Sequence, residues 1–277
     1  MATVLLAGCG SIGAALGIQL QTAGFSVIGL RRSAVAMPFP MLQADFTQPL
    51  DPALFSQPIH YVVHTATPSE RSDAGYEKAY PGSVRHLLTA LHHHPLRRFF
   101  FVSSTAVYAQ DAGEWVDETS ITAPLNFNGT RMLEAEQLLV NSGVPATCVR
   151  FGGIYGQGRN YLIRRVQNGA EVQSDPPSYT NRIHQSDCVG VLQFLLEKNE
   201  AGVTLEPVYL GVDDDPASEE TVCRWLAQQL NAPEPILKTA PGASQNKRCS
   251  NARLRQLGYP FLYPDFRSGY TAVLANQ

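Results

Sequence analysis

Three glycines at fixed spacing, Gly8-x-Gly10-x-x-Gly13, follow the apolar run Val4–Ala7 and lead into a small-residue amphipathic stretch. A strand, a tight turn and a helix start, in that order, make a phosphate site. Gly8 is placed to turn the chain, Gly10 to let the backbone approach a pyrophosphate, and Gly13 to let the helix pack close on the strand. The helix N-terminus, at Ser11 and Ile12, then offers unpaired backbone N–H groups to the phosphate charge. The spacing predicts a dinucleotide. Two blander readings compete: a ligand-free glycine turn, and a secretory or membrane-spanning segment, since no charged residue precedes Arg31. The second lacks a basic leading region, and Gly17, Gln19, Gln21 and Gly24 interrupt the stretch, whereas a span needs about 20 predominantly apolar residues.

The next chemistry-bearing residues end the second apolar run: Gly29-Leu30-Arg31-Arg32-Ser33. A carboxylate here would accept from a ribose 2′-hydroxyl, and arginines suit a 2′-phosphate instead. With no Asp or Glu in this stretch, NADP is expected over NAD. The run His92-His93-His94-Pro95 is not a metal cluster, because adjacent helical residues point in different directions. Histidines near a helix C-terminus, just before a proline, are the better reading. Cys9, Cys148, Cys188, Cys223 and Cys249 are scattered without a CxxC pair, which suggests reduced thiols and a cytoplasmic protein, and no metal site is expected.

These residues need elements to hold them. The 277 residues, 44% of them hydrophobic, suffice for one large domain or a large and a small one. Net charge is −3, and no Lys/Arg-rich run suggests a nucleic-acid or anionic-membrane surface. Strand patterns at Thr3–Ala7, Ser26–Leu30, Tyr61–Thr65, Arg98–Ser103 and Thr147–Phe151 alternate with helical ones at Ile12–Ala23, Tyr76–His92 and Arg131–Asn141. This alternation predicts an α/β fold, a doubly wound parallel sheet with ligands at one sheet edge. Beyond Gly156 the chain turns irregular and rich in Pro, Gly and Asn, including Pro241–Asn246, with one clear helix at Ser218–Leu230. The expected division is a nucleotide-binding domain over residues 1–156. Residues 157–277 would be mainly a small substrate lobe, with segments returning to the sheet.

Several motifs in order resemble the extended short-chain dehydrogenase/reductase family, which holds nucleotide-sugar epimerases and dehydratases. They are Phe101-Val-Ser-Ser-Thr-Ala-Val-Tyr108, Asp117-Glu118 with Pro124, Val149-Arg-Phe-Gly-Gly-Ile-Tyr-Gly156, Arg182-Ile-His-Gln-Ser-Asp187, and Ser250-Asn-Ala-Arg-Leu254 with Leu257-Gly258. The resemblance runs nearly end to end and implies a Rossmann-type fold. It implies Asp45 beside an adenine, Ala66 and Thr67 along the pyrophosphate–ribose path, and Ser103 and Ser104 at the end of the serine strand.

The chain departs from the family at its chemical end. Matching Gly129 and Glu136 to the family's helix puts Asn128 where a tyrosine belongs and Met132 where a lysine belongs, and a one-residue shift gives Phe127 and Arg131. Neither register restores a Tyr-x-x-x-Lys pair, and Asn and Met cannot do its proton chemistry. With Ser104 retained, the replacement acid–base candidates are Tyr108, Tyr155, His184 and Asp187. His184 has the most suitable unperturbed pKa, while Asp187 is expected to order its loop. The sequence therefore implies an NADP-dependent oxidoreductase or epimerase/dehydratase-like enzyme acting on a carbonyl or sugar-type small molecule. A nucleotide sugar would need cations such as Arg159, Arg164, Arg165 and Arg182. The alternative is a non-catalytic NADP(H)-binding redox sensor. The resemblance also suggests a homodimer.

Overall fold

The computed structural model describes residues 1–239 and 246–276, so the irregular stretch read at 241–246 lies, apart from Asn246, outside the described residues. In chain order the elements are β1 (Thr3–Ala7), α1 (Ser11–Thr22), β2 (Ser26–Arg31), β3 (Met41–Gln43), β4 (Tyr61–His64), α2 (Asp73–Glu77), α3 (Ser83–Ala90), β5 (Arg98–Ser104), β6 (Glu114–Val116), α4 (Phe127–Asn141), β7 (Ala146–Phe151), β8 (Gly153–Tyr155), α5 (Tyr161–Gln167), β9 (Glu171–Asp175), β10 (Arg182–His184), α6 (Gln185–Glu200), β11 (Val208–Gly211), α7 (Glu219–Leu230), β12 (Ile236–Thr239), β13 (Lys247–Cys249), α8 (Ala252–Leu257) and α9 (Phe266–Leu274).

Seven strands form a parallel sheet in the order β3-β2-β1-β4-β5-β7-β11. Its strands read as unbroken apolar runs because helices cover both faces of such a sheet. Val4, Leu5, Leu6, Val62, Val63 and the Phe99–Phe101 triplet are all fully buried. Register decides which loops meet. Ala7 pairs with Leu30 on one side and with His64 on the other. The turn after β1, the arginines ending β2 and Thr65–Thr67 after β4 therefore leave the sheet at one edge. The chain's winding reverses between β1 and β4, where open α/β sheets bind ligands.

Five of the seven sheet strands, β1, β2, β4, β5 and β7, fall within one residue of the sequence reading, whereas β3 and β11 were not read from it. The helices differ more. The helix expected over Tyr76–His92 is interrupted by a π-turn at Lys78–Gly82, and Pro81 lies inside it. Proline has no N–H to donate to the carbonyl four residues back, and the Ser83 N–H reaches Lys78 five residues back instead. His92 Nδ1 donates to the Thr89 carbonyl at 2.9 Å, near the end of α3. Helix α4 starts four residues earlier than expected, at Phe127. Beyond Gly156 the expectation of one clear helix is too sparse, since α5, α6, α8 and α9 accompany α7. Helix α7 begins where the sequence placed it, with the Ser218 side chain accepting from the Thr221 N–H, and it ends on Asn231 in the left-handed region (φ 48°).

By compactness the chain makes two units. The first comprises residues 1–107, 122–150 and 189–209, and the second 108–121, 151–188 and 210–277. The second unit has its own core, in which Tyr155, Ile163, Val166, Val222, Phe266 and Tyr270 pack together.

Candidate functional site

In the first unit the glycine turn has the geometry its spacing predicts. Gly8 lies at φ +100°, and a side chain there would bring its Cβ within 2.7 Å of the Ala66 amide nitrogen. A Cβ on Gly13 would stand 2.2 Å from the Gly8 carbonyl oxygen, so only glycine lets α1 start this close to the turn. Gly10 is different: a Cβ there would meet no atom within 4 Å. The middle glycine thus borders open space at the start of α1, where no side chain caps the helix. The first backbone N–H groups of α1, at Ser11, Ile12 and Gly13, have no partner within the helix, as at any helix start.

The flanks of this turn are built to hold it. The Thr65 hydroxyl donates to the Gly8 carbonyl, and the Thr65 N–H donates to Ala7 at 2.9 Å. Thr65 is a positioning residue that the sequence reading passed over; its place at the end of β4 was the available signal. Arg31 Nη1 donates to the Cys9 carbonyl at 3.2 Å, bringing the guanidinium to the turn. Arg32 and Ser33 are exposed just beyond. Burial pushes the Cys9 thiol up to about 11, which removes it as a nucleophile near neutrality. Asp45 accepts from the Thr47 N–H at 3.1 Å and the Thr47 hydroxyl at 2.7 Å in a local turn. Ala66 is half-buried and Thr67 exposed after β4.

The serine strand divides its two serines. Ser103 is buried, and its hydroxyl donates to Glu136 at 2.5 Å. Glu136 in turn holds Arg150 by two bonds, at 3.0 and 2.6 Å, in a buried ion pair. The Ser103 side chain thus faces a structural network. Ser104 is half-buried, and its oxygen accepts from the Ala106 N–H at 3.1 Å. On α4, Asn128 is half-buried and Met132 buried. In the shifted register, Arg131 is held by both oxygens of Asp73 at 2.8 Å each. Neither register supplies a phenol beside an amine.

In the second unit most of the predicted acid–base groups are engaged. Tyr108 is buried and donates its hydroxyl to the Asp117 carbonyl at 2.9 Å. Asp187, fully buried, accepts from the Leu262 N–H (2.8 Å), the Tyr263 N–H (2.9 Å) and the Tyr259 hydroxyl (3.0 Å). It ties down the segment before α9, the loop-ordering role expected of it. Burial raises its pKa, and these three bonds counter that effect. Tyr155 is buried, stacked on Tyr270 at 4.4 Å, and its hydroxyl meets no partner among the described residues. Burial raises that phenol well above its usual range. Of the cations considered for a diphosphate, Arg165 is paired with Glu219, and Arg182 is buried and bonded to Thr180. Arg159 and Arg164 are exposed.

His184 stands apart from these. Its Nδ1 accepts from the Ser186 N–H at 3.2 Å, so in the neutral ring Nε2 carries the proton. Nε2 makes no hydrogen bond among the described residues, and the ring lines a cleft of about 490 Å³. Burial lowers the imidazole pKa, keeping the ring neutral near pH 7. The sequence reading missed Asp213, the first of three consecutive aspartates. Asp213 is buried, its Oδ2 is unpartnered among the described residues, and its pKa is pushed up to about 8 by burial against the opposing pull of Arg182.

The sheet order and the glycine turn define a Rossmann-type protein of the short-chain dehydrogenase/reductase kind. The chain belongs to the NAD dependent epimerase/dehydratase family, whose sequence profile matches residues 4–211. No curated protein matches it. Among solved structures it is similar to a Methylobacillus flagellatus protein assigned to the NAD-dependent epimerase/dehydratases, with 36% identity and TM-score 0.83 over 99% of this chain and 98% of that one. It shares its fold with UDP-glucuronic acid 4-epimerase from Bacillus cereus, in complex with NAD (18% identity, TM-score 0.79, 99% and 96% covered). The same holds for UDP-glucose 4-epimerase from Thermotoga maritima, with UDP-glucose (18% identity, TM-score 0.80, 99% and 98% covered). Among the described residues no helix is long and apolar enough to cross a membrane, and no group of His, Cys, Asp or Glu could hold a metal ion.

Proposed function

We propose that this chain is an NADP-dependent oxidoreductase or epimerase/dehydratase-like enzyme acting on a carbonyl or sugar-type small molecule, nucleotide sugars included. The observation that carries the reading is the open space beside Gly10 at the uncapped start of α1. Gly10, Ser11, Ile12 and Gly13 hold the pyrophosphate. Arg31, brought to the turn through Cys9, and Arg32 face the 2′-phosphate, and the absence of a carboxylate among residues 29–33 disfavours NAD. The B. cereus epimerase binds NAD and the T. maritima epimerase was solved with UDP-glucose, which supports a nicotinamide dinucleotide and a sugar-type substrate here. When bound, the nicotinamide supplies hydride transfer. His184 moves the proton, since it is neutral near pH 7 with no partner on Nε2–H among the described residues. The protein works in the cytoplasm and pairs as a homodimer in this reading.

Titration of intrinsic fluorescence with NADP and with NAD tests the cofactor half. Arg32→Glu weakens NADP by at least about tenfold, the scale of one lost charge-assisted contact, and leaves NAD nearly unchanged. Equal loss of both would show that the arginines do not discriminate. A second reading, a non-catalytic NADP(H)-binding redox sensor, is favoured by the engagement of Tyr108 and Asp187 and by Asn128 and Met132 on α4. NADPH consumption across a panel of aldehydes, ketones and sugars, abolished by His184→Ala, separates the two. A partner captured only in one cofactor redox state, with no turnover of any panel member, would favour the sensor.

A further inference from the structure

Gly17 lies one turn beyond the glycine turn, yet the first unit leaves it no room for a side chain. A Cβ there would stand 2.5 Å from Cζ of the Phe39 ring and 2.9 Å from Leu6 of β1. Phe39 is buried in this notch on α1, which only glycine provides. The ring comes from the segment between β2 and β3, which begins with Arg32 and Ser33. Residues 32–37 make no hydrogen bond among the described residues, and Arg32, Ser33, Ala34 and Ala36 are exposed. The bonds that hold the segment are at its two ends. At the near end the Arg31 guanidinium donates to the Cys9 carbonyl (3.2 Å), and the Arg31 carbonyl accepts from the Ala44 N–H (3.1 Å). At the far end the Gln21 side chain of α1 donates to the Pro38 carbonyl (3.3 Å), and the Gly29 N–H to the Pro40 carbonyl (2.9 Å). Pro38 and Pro40 flank Phe39 and restrict the backbone on both sides of it.

We propose that Phe39, seated against Gly17, is the positioning residue for cofactor choice: it holds the far end of the segment and so orders Arg32 for a ribose 2′-phosphate. The inference rests on the NADP reading above and adds the residue that sets its strength. Arg32 has no carboxylate partner among the described residues, and the segment that carries it has no bonds of its own. Ordering such a segment at the moment of binding costs backbone entropy. An anchor already in place removes part of that cost, which is how preorganisation raises affinity. NAD presents a neutral 2′-hydroxyl and draws little on Arg32, so the anchor acts on the ratio of the two affinities.

Paired titrations of the full chain with NADP and with NAD test it on Phe39→Ala, Phe39→Leu, Gly17→Ala and the double variant of Gly17→Ala with Phe39→Ala. Phe39→Ala weakens NADP on the order of tenfold, the scale of ordering one backbone residue, and leaves NAD within about twofold, which also shows that the variant is folded. Phe39→Leu still fills the notch and recovers most of the loss. Gly17→Ala reproduces the loss from the helix side with Phe39 intact. The double variant loses no more than the larger single one, since both changes break one contact. Trypsin, followed without any dinucleotide, cuts after Arg32 several-fold faster in Phe39→Ala than in wild type. The inference is overturned if Phe39→Ala leaves the ratio of NADP to NAD affinity unchanged, if the two single losses multiply in the double variant, or if trypsin cuts no faster. A wild type that binds NADP no tighter than NAD loses the NADP reading and this inference together. One that prefers NADP and keeps that preference in Phe39→Ala loses this inference alone.

Discussion

Replacing Asp213 with asparagine probes the interior of the second unit. The carboxyl is buried beside Arg182, with Oδ1 accepting from the Asp215 N–H at 3.2 Å and Oδ2 unpartnered among the described residues. Tyr155 and Tyr270 also face it, and Asp214 and Asp215 repel its charge. In the folded chain its pKa is pushed up to about 8, against 3.8 for the free group. The folded state therefore holds this proton more tightly than the unfolded state does. The stability it confers is complete below 3.8 and is lost as pH rises through about 8. Between about pH 5 and pH 7 the loss amounts to about 3 kcal/mol. Histidines act oppositely in the same window. His64, lowered to about 4 by burial, stabilises the fold above 6.5 and less as pH falls towards 4. The difference between variant and wild type cancels that contribution. The substituted amide keeps an acceptor for the Asp215 N–H and never ionises. Urea unfolding followed through Trp225, which packs on Phe266, should show the variant gaining about 3 kcal/mol relative to wild type from pH 5 to pH 7. Parallel stability curves for the two proteins would refute a neutral buried carboxyl.

Gly10→Ala should fold like wild type and bind dinucleotide at least about tenfold more weakly, because the new methyl enters open space where a pyrophosphate approaches. Gly13→Ala should lower stability by about 1–3 kcal/mol, the range for an overpacked site, since its Cβ would press on the Gly8 carbonyl; calorimetric melting separates the two glycines. Glu136→Gln should cost about 3–5 kcal/mol by leaving Arg150 buried without its charge partner. The double change Glu136→Leu with Arg150→Met should recover much of that loss in denaturant unfolding, and a double variant no better than the single would argue against this account.

Residue order carries the sheet well because a parallel strand buried on both faces needs a continuous apolar run, and Phe99–Phe101 cannot be anything else. The glycine turn is legible for a similar reason: at Gly8 and Gly13 any side chain would collide with backbone. Helix α6 is less visible. It opens on Gln185, Ser186 and Asp187 and contains Gly190, although Val189, Leu192 and Leu196 keep helical spacing. The break before α3 was written in Pro81, whose place inside an apolar pattern allowed either a kink or a π-turn. The candidate acid–base residues were legible as types but not as partners. Nothing local shows that the Tyr108 hydroxyl would reach Asp117 or that Ser103 would meet Glu136, because those meetings depend on how loops and helices pack. Asp213 was hidden in a run of aspartates that reads as an exposed turn; only its burial distinguishes it from Asp214.

The fastening of Asp187 has a consequence for how the chain is made. Its three donors come from Tyr259, Leu262 and Tyr263, and the first of them lies 72 residues downstream. While the ribosome is still adding those residues, Asp187 has no backbone N–H to receive it and its carboxylate stays in water. At the α6 start the fold cannot close until the chain has been made as far as Tyr263. A nascent chain stalled before Tyr259 would therefore present this carboxylate, and the apolar faces awaiting Phe266 and Tyr270, to whatever chaperone attends the exit tunnel.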